Sequence, residues 1–225
     1  MAFVDLQLLL QTCVYFATTI CGLIVSISVG VTTIKFEGSC ILYGHFDWKN
    51  ATAFVMTSSA KANCQLPIWI NVFGCIFYCV GVGIYSSYAL NKSRIDTSIA
   101  SQMWVMPFVL TNSLLAALVL ISSCLISVGF SNFCSKITSK GYIKKCVDGQ
   151  DNQWTNTFTK GKFNVGRFHD RLSSAEAATW ICLLLCIGQT ALCILRFVRN
   201  RRRRTSAPAK SSTSPNEELS SDRYI

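Results

Sequence analysis

The chain has 225 residues, 51% of them hydrophobic, and a formal net charge of +10. Its apolar residues are gathered into long runs, and what lies between them is too little for a separate soluble domain of about 100 residues. The basic residues are confined to loops and tail rather than spread over a folded polar face, so no nucleic-acid partner is expected.

Met1–Asp5 has no Lys or Arg and carries one Asp. A secretory signal peptide starts basic and has an apolar core of about 7–15 residues. The run that follows here is far longer and reads as an uncleaved span. Leu6–Ile34, Ala62–Asn91, Thr97–Ser135 and Ala177–Leu195 contain no Asp, Glu, Lys or Arg. Each is long enough for a helix that crosses a bilayer, with spans at about 8–32, 67–90, 104–129 and 177–198. The expected fold is an all-α membrane protein. A four-transmembrane-helix bundle occupies residues 1–199, and two disulfide-held luminal or extracellular loops join its spans at about 33–66 and 130–176.

Within the spans, small residues recur every fourth position: Gly22, Ser26 and Gly30 in the first, Cys75, Cys79 and Gly83 in the second, and Ala178, Cys182 and Cys186 in the fourth. Helices in lipid associate by close packing, so these stripes predict helix contacts. Cys182 and Cys186 also have the spacing of half a metal site, but with no His in any span, packing is the better account. Tyr85, Tyr88 and Trp104 near one boundary, and Trp69, Phe130, Phe133 and Trp180 near the other, predict an aromatic belt. The intramembrane polar set is Gln11, Asn71, Asn112 and Gln189 with some Ser and Thr, suited to bonds between helices.

In the first loop, Val31–Phe36, Cys40–Tyr43 and Ala53–Thr57 are β-prone. Gly38 and the turn-rich Gly44–Asn50 separate them, which predicts a small sheet. The second loop is more polar and is broken by Gly141, Gly149, Gly161 and Gly166. Cys40 and Cys64 lie in the first loop, Cys134 and Cys146 in the second, a distribution that suits two disulfides in an oxidising compartment. Three pairings are open on sequence alone. Local pairing is the simplest, closing rings of about 25 and about 13 residues, each worth roughly 3 kcal/mol.

Raw counts do not orient the chain, with ten basic residues on the terminal side and eleven on the loop side. Position does. Arg196, Arg199, Arg201, Arg202, Arg203 and Arg204 crowd the end of the fourth span, where the positive-inside rule has most force. Asn50-Ala51-Thr52 is a glycosylation sequon in the first loop, usable only on the luminal face. A second sequon, Asn91-Lys92-Ser93, would then stay empty. Both termini are therefore expected to be cytoplasmic. The six arginines should grip anionic headgroups at the cytoplasmic face of the bilayer, an anchor rather than a retention signal. Cys193 beside them is a candidate palmitoylation site. Residues 200–225, basic and then Ser-rich, should form a disordered cytoplasmic tail.

Transporters place ionisable groups inside the bundle and interrupt their helices with Gly and Pro. Neither pattern is present. The histidines, His45 and His169, lie in different loops, and His169-Asp170 is a dipeptide rather than a dyad. Using His169 with a loop cysteine would sacrifice a disulfide. No catalytic residue, cofactor or metal site is expected, and the chain does not read as an enzyme.

Several strings resemble the transmembrane protein 179 family. Gly38-Ser39-Cys40-Ile41-Leu42-Tyr43-Gly44 follows span one, and Ile84-Tyr85-Ser86-Ser87 closes span two. Ile126-Ser127-Val128-Gly129-Phe130 then runs to Phe133-Cys134. Ala175-Glu176-Ala177-Ala178-Thr179-Trp180, opening span four, is similar to the B-type members in particular. The resemblance covers Tyr15 to about Arg196 and implies a multi-pass membrane protein without implying an activity. The Trp-Gly-Leu-Trp and paired-cysteine signature of claudins is missing from the first loop, and the Cys-Cys-Gly of tetraspanins does not occur. The leading expectation is a non-enzymatic scaffold, trafficking or partner-binding protein of the secretory and plasma membranes, with membrane-protein partners. The alternative is a channel or transporter (auxiliary) subunit.

Overall fold

The computed structural model describes residues 2–49, 53–93, 106–151, 154–156, 162–163 and 166–206. Four helices among them are long and apolar enough to cross a membrane. The first span is α1, Ala2–Lys35. The second is continuous but changes its winding, from α2 (Ala62–Trp69) through a π-helical stretch (Ile70–Tyr78) to α3 (Cys79–Ser93). The third span is α4, Met106–Thr138, and the fourth is α5, Phe168–Ser206. Both α4 and α5 run past the expected span ends. Once a helix is nucleated, each further residue adds a bond at little cost. The last helix thus carries Arg201–Arg204 as helical backbone rather than as the start of a tail; residues 207–225 lie outside the described part.

The loop sheet is real but differs from the expectation. Its order is β1-β2-β3-β4, with β1 at His45–Trp48, β2 at Ala53–Thr57, β3 at Trp154–Asn156 and β4 at Lys162–Phe163. Of the three β-prone segments in the sequence, only Ala53–Thr57 forms a strand. Val31–Lys35 instead completes α1, where Thr32 and Thr33 donate to the carbonyls of Ser28 and Val29 at 2.7 and 2.9 Å. In lipid a helix satisfies its own backbone and a lone strand does not, which outweighs β-branched propensity. Glu37 and Gly38 then turn left-handed at φ 55° and 76°, and Gly38 N–H closes the helix on Thr33 O at 2.9 Å.

The two loops share this sheet. β1 pairs antiparallel with β2, and β3 with β4, while β2 and β3 pair in parallel through Ala53↔Thr155 and Phe54↔Asn156. Beneath it, Phe36, Ile41, Trp48, Phe130, Phe133, Ile137, Ile143, Trp154, Phe168 and Leu172 form one core. Phe130 and Phe133 therefore belong to this core under the sheet, at 8% and 0% exposure, rather than to the aromatic belt. Trp69, Tyr85, Tyr88 and Trp180 do face outward. Trp104 lies outside the described residues.

Candidate functional site

Two regions carry the chemistry: a seam inside the bundle and the disulfide-locked head formed by the two long loops. The seam starts at the end of α5, where Arg199 Nη1 donates to Gln7 Oε1 at 3.2 Å and Arg196 Nη1 to Gln11 Oε1 at 3.4 Å. Gln7 in turn donates to Leu192 O at 3.0 Å. One helical turn inward, Asn112 Nδ2 donates to Tyr15 Oη at 2.9 Å and to Cys193 Sγ at 3.5 Å, and Gln11 Nε2 reaches the same sulfur at 3.6 Å. Tyr78 Oη donates to Asn112 Oδ1 at 3.4 Å. Thr12 and Ser86 bridge α1 and α3 at 3.0 Å. Every span contributes, because a polar group in hydrocarbon needs a protein partner.

Further along, the seam becomes a thiol cluster. Cys75, Cys79, Cys182 and Cys186 are all buried in one contiguous core with Tyr15, Leu115 and Val119. Cys75 Sγ and Cys182 Sγ stand 3.4 Å apart, joining the second and fourth spans. The π-helical stretch presents Asn71 and Cys75 inward, both at 0% exposure. Asn71 Nδ2 donates to Pro67 O at 2.8 Å and across to Ser122 Oγ at 3.3 Å. π-Helical turns are rare in helices, and sequence periodicity did not reveal this one. Gly22 is the small residue that admits Cys75: a Cβ there would lie 2.6 Å from the cysteine's Cβ. Gly30, in the same stripe, has nothing within 4 Å and marks no crossing.

In the head, Cys40 is bonded to Cys64 and Cys134 to Cys146, with Cα–Cα distances of 5.7 and 5.2 Å. Both are the local pairs. Lys136 Nζ ties α4 to the first loop through His45 Nδ1 at 2.7 Å and Gly44 O at 3.3 Å. Ser127 Oγ donates to Glu176 Oε1 between α4 and α5. Burial raises the Tyr43 hydroxyl above its ordinary pKa. His169, in the first turn of α5, packs on the Phe130 ring with centroids 5.4 Å apart. Its ring nitrogen and the sulfurs of Cys134 and Cys146 lie within 4.8 Å of one another. With the sulfurs bonded to each other, this is an imidazole beside a disulfide, a neighbourhood that loop separation hid in the sequence.

The remaining expected positions fall as follows. Arg201 and Arg202 are exposed on the last turns of α5, whereas Arg196 and Arg199 turn back onto α1. The side chains of Arg203 and Arg204, and the whole of Asn50, lie outside the described residues. Cys193 is 4% exposed, with its sulfur inside the seam. An acyltransferase needs an accessible thiol, so this placement does not suit palmitoylation.

A family model described as "Transmembrane protein 179/179B Claudin domain" matches residues 7–220. The chain belongs to this family. A transmembrane protein 179B from Danio rerio is 27% identical over 176 residues, which cover 77% of this chain and 76% of the relative. A transmembrane protein 179B from Mus musculus is 24% identical over 169 residues, 75% of this chain and 73% of the relative. No solved structure matches. The transmembrane protein 179/179B family model carries the claudin name although Trp-Gly-Leu-Trp is absent from the first loop. The contrast with claudins drawn from that string does not hold at the level of the domain, whose match runs through all four spans and both loops.

Proposed function

We propose that this family member is a non-enzymatic partner-binding protein of the secretory and plasma membranes, a scaffold or trafficking factor whose docking surface is the luminal head. The observation that carries this reading is the pairing of β2 with β3, which joins loops far apart in the chain into one rigid surface outside the bundle. Two disulfides and an aromatic core hold that surface in place. Disulfides persist in oxidising compartments, which supports a luminal head and cytoplasmic termini. Arg201 and Arg202, exposed at the far end of α5, would meet anionic headgroups there, together with Arg203 and Arg204. The channel or transporter reading draws on the seam, which runs polar groups from Arg196 to Asn112.

Purified protein in liposomes separates the two. Partner binding predicts co-purification of the same membrane proteins by wild type but not by a Cys134→Ser/Cys146→Ser variant, and no flux above that of empty vesicles. Ion or solute flux from the pure protein would overturn it. Orientation is tested by glycosidase digestion of wild type, Asn50→Gln and Asn91→Gln. We expect a mobility shift that Asn50→Gln abolishes and Asn91→Gln leaves. If only Asn91→Gln abolishes it, the threading is inverted.

A further inference from the structure

The two disulfides differ in their surroundings. Cys40 and Cys64 are each 1% exposed and packed among Val25, Val29 and Leu42. Cys134 and Cys146 are half-buried at the margin of the luminal core. Beside them stands His169, its side chain 29% exposed and its Nδ1 3.9 Å from Asp170 Oδ1. Lys144 and Lys145, next to Cys146 in the chain, are exposed, as is Asp148 on the other side.

We propose that Cys134–Cys146 is a thiol–disulfide exchange site, opened by an anionic low-molecular-mass thiol with His169 as proton donor, while Cys40–Cys64 is sealed. Exchange is set by access to the sulfur and by the ease with which the other sulfur leaves. Access separates the two bonds at once. The incoming thiolate attacks one sulfur, the Sγ–Sγ bond breaks, and its electron pair goes to the other sulfur. That sulfur takes a proton from the His169 imidazolium, which water re-protonates. A second thiol attacks the mixed disulfide, giving the reduced pair and the oxidised small disulfide. Two thiols are oxidised for one protein disulfide reduced, so the electrons balance. The exposed lysines favour an anionic thiol, of which glutathione is the probe. Opening the bond frees the Cys146–Asp151 turn from α4 and slackens the core under β3.

The test is timed exposure of the full-length protein in detergent micelles to reduced glutathione, alkylation of freed thiols, and mass mapping of each cysteine. Both faces meet the reagent in micelles, so the outcome is independent of threading and of partner binding. Cys134 and Cys146 should be alkylated at least about tenfold faster than Cys40 and Cys64. His169→Gln should slow the opening about tenfold and leave the Cys40–Cys64 rate unchanged, and His169→Lys, a cation that also donates a proton, should restore much of it. The proposal is overturned if both bonds open together, or if His169→Gln opens at the wild-type rate or faster.

Discussion

The disulfide-held head and the bundle interior are built from different materials. Phe36, Trp48, Phe133, Trp154 and Phe168 meet edge to face or tilted in the head, with ring centroids 5.4–6.5 Å apart. In the bundle, Cys75, Cys79, Cys182 and Cys186 occupy the central contacts, with Asn71 and Asn112 between helices. The difference follows from the solvent. Water outside the membrane rewards burial of large apolar surface, so the head gathers aromatics and locks them with disulfides. Lipid gives no such reward to apolar contact between helices, so the bundle depends on close approach and hydrogen bonds.

That contrast predicts a ranking of damage. Trp154→Ala, in the centre of the head at 0% exposure, should cost about 3–5 kcal/mol of stability. Limited proteolysis should then cut the loops of the head while the spans stay intact. Equal protection of the loops in wild type and variant would show that the head does not rest on its aromatics. A smaller effect is expected at Gly22→Ala, because the new Cβ would meet the Cys75 Cβ at 2.6 Å and the helices must part. Roughly 1–3 kcal/mol should be lost, seen as a lower melting temperature in detergent. Gly30→Ala meets nothing within 4 Å and should be neutral or stabilising by up to about 1 kcal/mol. If both variants lose stability alike, close approach is not what organises α1. Among the losses the smallest is that of Asn112→Leu, which removes bonds to Tyr15, Tyr78 and Cys193. About 1 kcal/mol should go, within the range found for polar contacts between membrane helices. A loss as large as that of Trp154→Ala would erase the contrast.

Membership of four spans was legible because the bilayer imposes a length and forbids charge, and both conditions are local to each run. The local disulfides were legible as the simplest of three pairings. The wrong expectations share one cause, in that they assigned residues from their own propensities. Phe130 and Phe133 have the character of interfacial anchors, but α4 continues through them into the head and buries both. Cys193 reads as a candidate palmitoylation site from its place beside Arg196, yet the rotation of α5 turns its sulfur toward Asn112.

The sequence by itself determined the membrane class, the number of spans and the division of cysteines between loops and bundle, since these depend on composition along the chain. Only the tertiary structure decided which faces meet. It paired β2 with β3 across about a hundred residues of chain, a separation that no local pattern encodes. It brought Cys75 to Cys182 through the π-helical turn, and it set His169 beside Cys134 and Cys146. Such contacts depend on helix rotation and crossing, and those are fixed by the packing of all four spans at once.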